Sequence, residues 1–353
     1  MHKLFDMRHL NWHGEKPAVL VFQELADYCR AEPFEADVFG KGKSLNAFEA
    51  RVAAMLGKEA AVFLPSGVMA QQIALRIYAD HTGRRTVGMH HSTHIETNEQ
   101  RAYAHLHGLQ VRHLGGKNAP ILAQDLRDCG ERLGTLLVEL PLRRIGGILP
   151  TWEQLQELLA AARERELKLQ LDGARLWEAQ VFYGRPLAEI CAPFDSVYVS
   201  FYKGLGGIAG AMLSGSAPFI AEARVWQRRH GGNLTTLHPL AVSAQMNLEK
   251  RLPKMHAYRD RAVSLATALK SLDNVVIKPD PPQTNMFHLY LNATQEKLES
   301  AHRQMMERDG VKLCTFFLPS DIPGWTYTEV VAGDATLGFL DEEAVERYRM
   351  LLA

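Results

Sequence analysis

The sequence predicts an α/β protein: a mostly parallel central sheet flanked by helices, with a smaller α+β C-terminal domain. Three observations lead there. Short apolar runs (AAVFL, TVGM, LQVRHL, TLLVEL, LKLQL, DSVYVS) alternate with helical segments, as in βαβ units whose sheet is covered on both faces. After Pro239 that alternation gives way to a long helical region followed by strands and helices in mixed order. Hydrophobic residues at 46% and charged residues at 23% of 353 are ordinary values for a chain that buries a sizeable core. The expected organisation is an N-terminal segment, 1–45, contributing to the active site, a large α/β domain, 46–245, and a small α+β domain, 246–353.

Taken in order, a helical stretch around Ala18–Arg30 precedes a Gly/Lys turn at Phe39–Lys43. Ser44 opens the helix SLNAFEARVAAMLG, which Gly57 stops. The strand AAVFL leads to a helix over Ser66–Tyr78, then TVGM and a helix through Gln100–His107. Trp152–Glu166 is helical between TLLVEL and LKLQL. Gly204 to Ala221 carries no charge, but Gly207, Gly210, Gly215 and Pro218 break it, so it reads as a buried strand and turn, not a membrane span. Beyond Pro239 the helical region is divided near Pro253. It is followed by NVVIKP, NMFHLYL, a helix at Thr294–Arg308, VKLCTFF, TYTEVV and a closing helix from Asp341.

Forty basic residues balance forty acidic ones. A neutral chain argues against wide phosphate-backbone binding, and the patch Arg228-Arg229-His230 has no accompanying basic or aromatic stripe, so nucleic acid is not an expected partner. Cys29, Cys129, Cys191 and Cys314 are too few and scattered for a disulfide framework or a cysteine zinc site. The first residues are interrupted by charges and histidines and form no signal peptide. No membrane association and a cytoplasmic location are the expectations.

Three elements of the large domain carry chemistry. In LPSGVMAQQIAL a strand ends at Leu64 and a helix starts after Pro65-Ser66-Gly67. Free N–H groups at such a start suit a phosphate, though a plain Ser66 N-cap explains the same pattern. In LKLQLDGARLWEA, Asp172 ends an apolar strand. It either pairs with Arg175 or faces a cationic heterocycle while Arg175 grips a substrate carboxylate. In DSVYVSFYKGLGGIAG, Lys203 leaves an apolar strand and runs into Gly204, Gly206, Gly207 and Gly210. It is either an exposed turn lysine or a desolvated amine suited to Schiff-base chemistry. Together they supply what pyridoxal 5'-phosphate needs: a lysine, a carboxylate for the pyridine nitrogen and a phosphate cradle.

The segments DVFGKGKSLNAFEARVAAMLGKEAAVFLPSGVMAQQIAL, THIETNE, QLDGARLWEA, SFYKGLGGIAGAMLSGS, RVWQRRHGGN and TNMFHL resemble the threonine aldolase and β-eliminating lyase group of fold-type I pyridoxal-phosphate enzymes, from about Asp37 to Asn233. The resemblance implies that Lys203 carries the cofactor and Asp172 holds its ring nitrogen. Ser66, Gly67 and the backbone at Val68 would bind its phosphate, and His94 would stack over its ring. Arg175 would bind the substrate carboxylate or the cofactor's phenolic oxygen. Arg228, in the loop to Asn233, would reach the phosphate of a neighbouring subunit, which implies a homodimer or homotetramer with shared active sites. His90 and His91 beside His94 lack the acidic partner and spacing of a metal site, so no metal is expected.

The chain also departs from that group. Leu142, in VELPLRRIGG, stands where a histidine contacts the substrate hydroxyl, and Tyr202 replaces a serine before Lys203. Val68 replaces threonine, Phe39 replaces tyrosine, and Thr235 takes an arginine position. Thr328 or Glu329 falls where an arginine binds the substrate carboxylate, and Met7-Arg8-His9-Leu10 replaces an Arg-Ser-Asp pattern. The expected activity is cleavage of threonine-type β-hydroxy-α-amino acids to glycine and an aldehyde. His94, His9, His13 or water stands as base, and Leu142 points to a bulkier or less polar β-substituent, aryl groups included. Other reactions on the same cofactor (β-elimination, racemisation, transamination) and a non-catalytic relative are the alternatives.

Overall fold

The computed structural model describes residues 7–353 and divides into two compact units. One comprises Leu25–Arg144 and Ile148–Leu252; the other comprises the described residues up to Glu24, Ile145–Gly147 and Pro253–Ala353.

The first unit is built on seven strands: β1 (Ala60–Leu64), β2 (Thr86–His90), β3 (Gln110–Leu114), β4 (Thr135–Glu139), β5 (Lys168–Gly173), β6 (Ser196–Ser200) and β7 (Ala211–Gly215). Their order across the sheet is β1-β7-β6-β5-β4-β2-β3, and only β7 runs against its neighbours. Every residue of β4, β6 and β7 is buried, which is why these strands read as continuous apolar runs and not as alternating ones. The uncharged stretch after Gly204 supplies β7, in accord with its reading as a buried strand.

The flanking helices begin and end where their caps predict. Helix Gly67–Thr82 is capped by the Ser66 side chain and closed by Gly83 at φ 65°, a left-handed conformation that glycine adopts without strain. Helix Trp152–Glu164 starts in a reciprocal box, Thr151 Oγ1 accepting from Gln154 N and Gln154 Oε1 accepting from Thr151 N. The helix expected through Gln100–His107 is shorter, Ala102–His107, preceded by a separate turn at His94–Thr97, because Gln100 and Arg101 both take positive φ.

The second unit carries a four-stranded antiparallel sheet in the order Leu318–Pro319, Thr326–Val331, Met286–Leu291, Val275–Lys278. Arg8–His9 pairs in parallel with Val311–Lys312. The helical region past Pro239 is divided as expected, into His238–Arg251 and Met255–Leu269 with a 3₁₀ turn at Leu252–Lys254 between them.

Candidate active site

Asp172 and Glu139 lie side by side in register at the carboxyl ends of β5 and β4, where open α/β sheets bind ligands. Asp172 is 1% exposed. Its Oδ2 accepts from Gln71 Nε2 at 2.5 Å and its Oδ1 from the Ala174 N–H at 3.0 Å. Burial raises its proton affinity; Lys203 and His94 pull it back. Among the described residues no basic side chain forms an ion pair with it. It is not paired with Arg175, and a carboxylate buried in this way favours a cationic group in front of it.

Lys203 follows β6 and is half-buried. Burial lowers its proton affinity, Arg175 lowers it further, and Asp172 and Glu139 oppose both. An amine held near two carboxyl groups but partly desolvated is the arrangement a nucleophilic lysine needs.

Ser66 Oγ accepts from Met69 N at 3.3 Å, so the simple N-cap is present. The cap leaves the N–H groups of Gly67 and Val68 in the orphan first turn of a sixteen-residue helix, free of helical partners by construction and backed by its dipole. Gly67 is demanded by packing: a Cβ there would fall 1.9 Å from the hydroxyl of Tyr198, the residue in register with Asp172 on β6. Tyr202, just past β6, donates its backbone N–H to Ser200 Oγ at 3.3 Å.

His94 is held by a carboxylate. Its Nδ1 lies 2.9 Å from Glu99 Oε1, and Gln72 Nε2 donates to Glu99 Oε2 at 3.0 Å. Glu99 being an acceptor, the proton sits on Nδ1 and Nε2 is the basic nitrogen of the neutral ring. The His94 backbone N–H donates to Glu139 Oε2 at 3.0 Å, tying this turn to the end of β4. His90 and His91 are engaged otherwise: His90 with Ser92 Oγ at 2.7 Å and Gly116 O at 2.8 Å, His91 with Gly115 O at 3.1 Å.

Glu139, Glu99, Gln71 and Glu178 are site residues that sequence reasoning missed. Only Glu99 had a local signal, five residues after His94 in THIETNE. Glu139 is 8% exposed, and burial together with Asp172 raises its proton affinity. Leu142 is 3% exposed and lines a small cavity with His90, Ile121, Val138, Glu139 and Leu158, beside the carboxyl end of β4.

Arg175 is 7% exposed at the start of helix Leu176–Tyr183. Arg228 is exposed, on a groove of about 1200 Å³ that also presents Phe39, Lys41, Glu49, Arg224 and Asn233. His9 belongs to the second unit, where it lines a cavity of about 200 Å³ with Asn11, Trp12, Glu15, Lys312 and Cys314. Burial lowers its proton affinity; Glu15 opposes this and Lys312 reinforces it.

A desolvated lysine, a buried carboxylate awaiting a cation and an open helix N-terminus at the strand ends of one sheet fit pyridoxal phosphate, and define a fold-type I enzyme of that cofactor. Residues 23–293 match the β-eliminating lyase family, and the chain belongs to it. The low-specificity L-threonine aldolase of Escherichia coli K12 is 30% identical over 285 residues, 79% of this chain and 83% of that protein. Two solved structures are similar over nearly their whole length. One, from Listeria monocytogenes and assigned as an L-allo-threonine aldolase, is 37% identical with a TM-score of 0.92, covering 99% of this chain and 97% of that one. The other, from Exiguobacterium sp. 255-15 and assigned as an aromatic amino acid β-eliminating lyase/threonine aldolase, is 36% identical with a TM-score of 0.91 and the same coverages.

Proposed function

We propose that this enzyme cleaves the Cα–Cβ bond of β-hydroxy-α-amino acids of the threonine type, giving glycine and an aldehyde. The observation that carries the reading is the Lys203–Asp172 pair, kept at buried strand ends in a chain so similar to threonine aldolases. Bound pyridoxal phosphate supplies an electron sink conjugated to Cα. Asp172 holds a positive charge at the ring nitrogen, and Lys203 is the amine that attaches the cofactor. Ser66, Gly67 and Val68 hold the phosphate, and Arg175 binds the substrate carboxylate or the cofactor's phenolic oxygen. Nε2 of His94 takes the β-hydroxyl proton while Glu99 stabilises the charge that this places on the ring. Removal of that proton leaves the carbonyl oxygen of the departing aldehyde, and a proton returned to Cα completes glycine.

The enzyme works as a homodimer or homotetramer with shared active sites. The helix Ala18–Ala31 supports this, because none of its residues is buried and Val19, Leu20 and Phe22 are 70%, 52% and 64% exposed. Arg228, on its open groove, is the residue offered to a neighbour. A cytoplasmic location is supported by four free cysteines. No helix among the described residues is long and apolar enough to cross a membrane.

Product analysis with L-threonine tests the activity. Glycine and acetaldehyde in equal amounts are expected; ammonia with a 2-oxo acid would instead mark elimination. Comparing L-threonine with L-phenylserine decides the side-chain preference.

A further inference from the structure

Glu178 is a buried acid that the chemistry above leaves unused. It lies in the first turn of helix Leu176–Tyr183, three residues after Arg175, and is 2% exposed. Neither carboxyl oxygen has a hydrogen-bond partner among the described residues. A buried ionisable group without partners is destabilising, so its presence calls for a compensating role.

The neighbouring chain supplies one. Gly204 directly follows Lys203, and a Cβ built on it would fall 1.7 Å from Glu178 Oε1 and 2.5 Å from Cδ. Gly204 does not have a positive φ, so its backbone does not demand glycine, and a side chain there would instead displace the Glu178 carboxyl group. The charged groups acting on Glu178 are Arg175 and Lys203. Burial pushes its carboxyl up to about 7, and both cations pull it down. Lys203 in turn is discharged by burial, Arg175 and Arg143, while Asp172 and Glu139 oppose them.

We propose that Glu178 is a positioning residue for Lys203: its carboxyl group packs against the Lys203–Gly204 turn and, when ionised, supports positive charge on the lysine nitrogen and on Arg175. This rests on Lys203 being the residue that attaches the cofactor. Glu178 is shut off from solvent, and the charges acting on it are those of these two cations. The sign follows. An ionised Glu178 favours the protonated form of the Lys203 nitrogen, and removing that charge lets the proton leave at lower pH.

The test is a pH titration of the visible absorbance of the holoenzyme, in the wild type, Glu178→Gln and Glu178→Asp. The glutamine variant is expected to lower the midpoint by about half a pH unit or more, while the aspartate variant, which keeps the charge, stays close to the wild type. A structural role alone would alter thermal stability without separating the two variants. A second pair guards against misfolding. Gly204→Ala is expected to weaken cofactor retention at least tenfold, and adding Glu178→Ala to restore most of it by removing the clash. A midpoint that does not move in Glu178→Gln, or moves equally in both variants, overturns the proposal. So does a Gly204→Ala defect that Glu178→Ala leaves untouched. Visible absorbance that survives Lys203→Ala is a different failure: it overturns the assignment of Lys203, and the inference with it.

Discussion

A carboxylate at the end of a buried strand is destabilising until a positive charge meets it, and Asp172 is prepared for that meeting by two donors, Gln71 and the Ala174 N–H. The same logic orders His94. Its Nδ1 is committed to Glu99, which leaves Nε2 to accept a proton, and Gln72 keeps Glu99 in place. Glu99→Gln presents Gln72 with a competing amide, so either the His94 contact or the Gln72 contact is lost. A fall of about tenfold in kcat with altered pH dependence is expected, against about a hundredfold or more for His94→Ala. Steady-state pH profiles check both, and a Glu99→Gln variant with wild-type kcat at every pH would remove His94's carboxylate from the account. The places of Lys203, Asp172, Ser66 and Gly67 at strand ends were legible in the sequence because each breaks an apolar run. Glu139 and Glu178 were not. Glu139 meets Asp172 only through the β4–β5 register, and Glu178 meets Gly204 only through tertiary packing.

At the scale of elements, the helix Gly67–Thr82 is positioned by its first residue. Its buried face packs in one core cluster with Val62, Leu64, Tyr198 and Leu213, so the turn at Gly67 is pressed onto the sheet. Gly67→Ala would drive a methyl group into the Tyr198 hydroxyl. A loss of about 1–3 kcal/mol in stability and weaker cofactor binding are expected, partly relieved by Tyr198→Phe. Thermal unfolding of the single and double variants, with cofactor titration, measures this. The helix starts at Ser66 and Trp152 were readable, since N-caps are local chemistry, whereas the helix expected to stop at Tyr78 runs on to Thr82 and Gly83. The shortened Ala102–His107 helix was not readable, because nothing in the sequence at Gln100-Arg101 demands positive φ. Leu142 lies buried in its small cavity with Ile121, Val138, Glu139 and Leu158, a neighbourhood that its place in the sequence does not announce.

For the whole molecule, the order β1-β7-β6-β5-β4-β2-β3 brings residues far apart in the chain to the strand ends of one sheet, while no residue of the helix Ala18–Ala31 is fully buried. Val19, Leu20 and Phe22 form an exposed apolar patch of the kind that partner surfaces cover. The protein is therefore expected to sediment as a multiple of 39.5 kDa, and Phe22→Asp to shift it toward the monomer with loss of activity. A wild-type monomer of full activity in analytical ultracentrifugation would exclude shared active sites.

The central claim is that Lys203, opposite Asp172, attaches the cofactor, and trapping that linkage tests it most directly. Reducing the holoenzyme with borohydride and mapping the labelled peptide should place the pyridoxyl group on Lys203, in the segment after β6, with no label in Lys203→Ala. A label on another lysine, or none in a wild-type protein that takes up cofactor, would contradict the account.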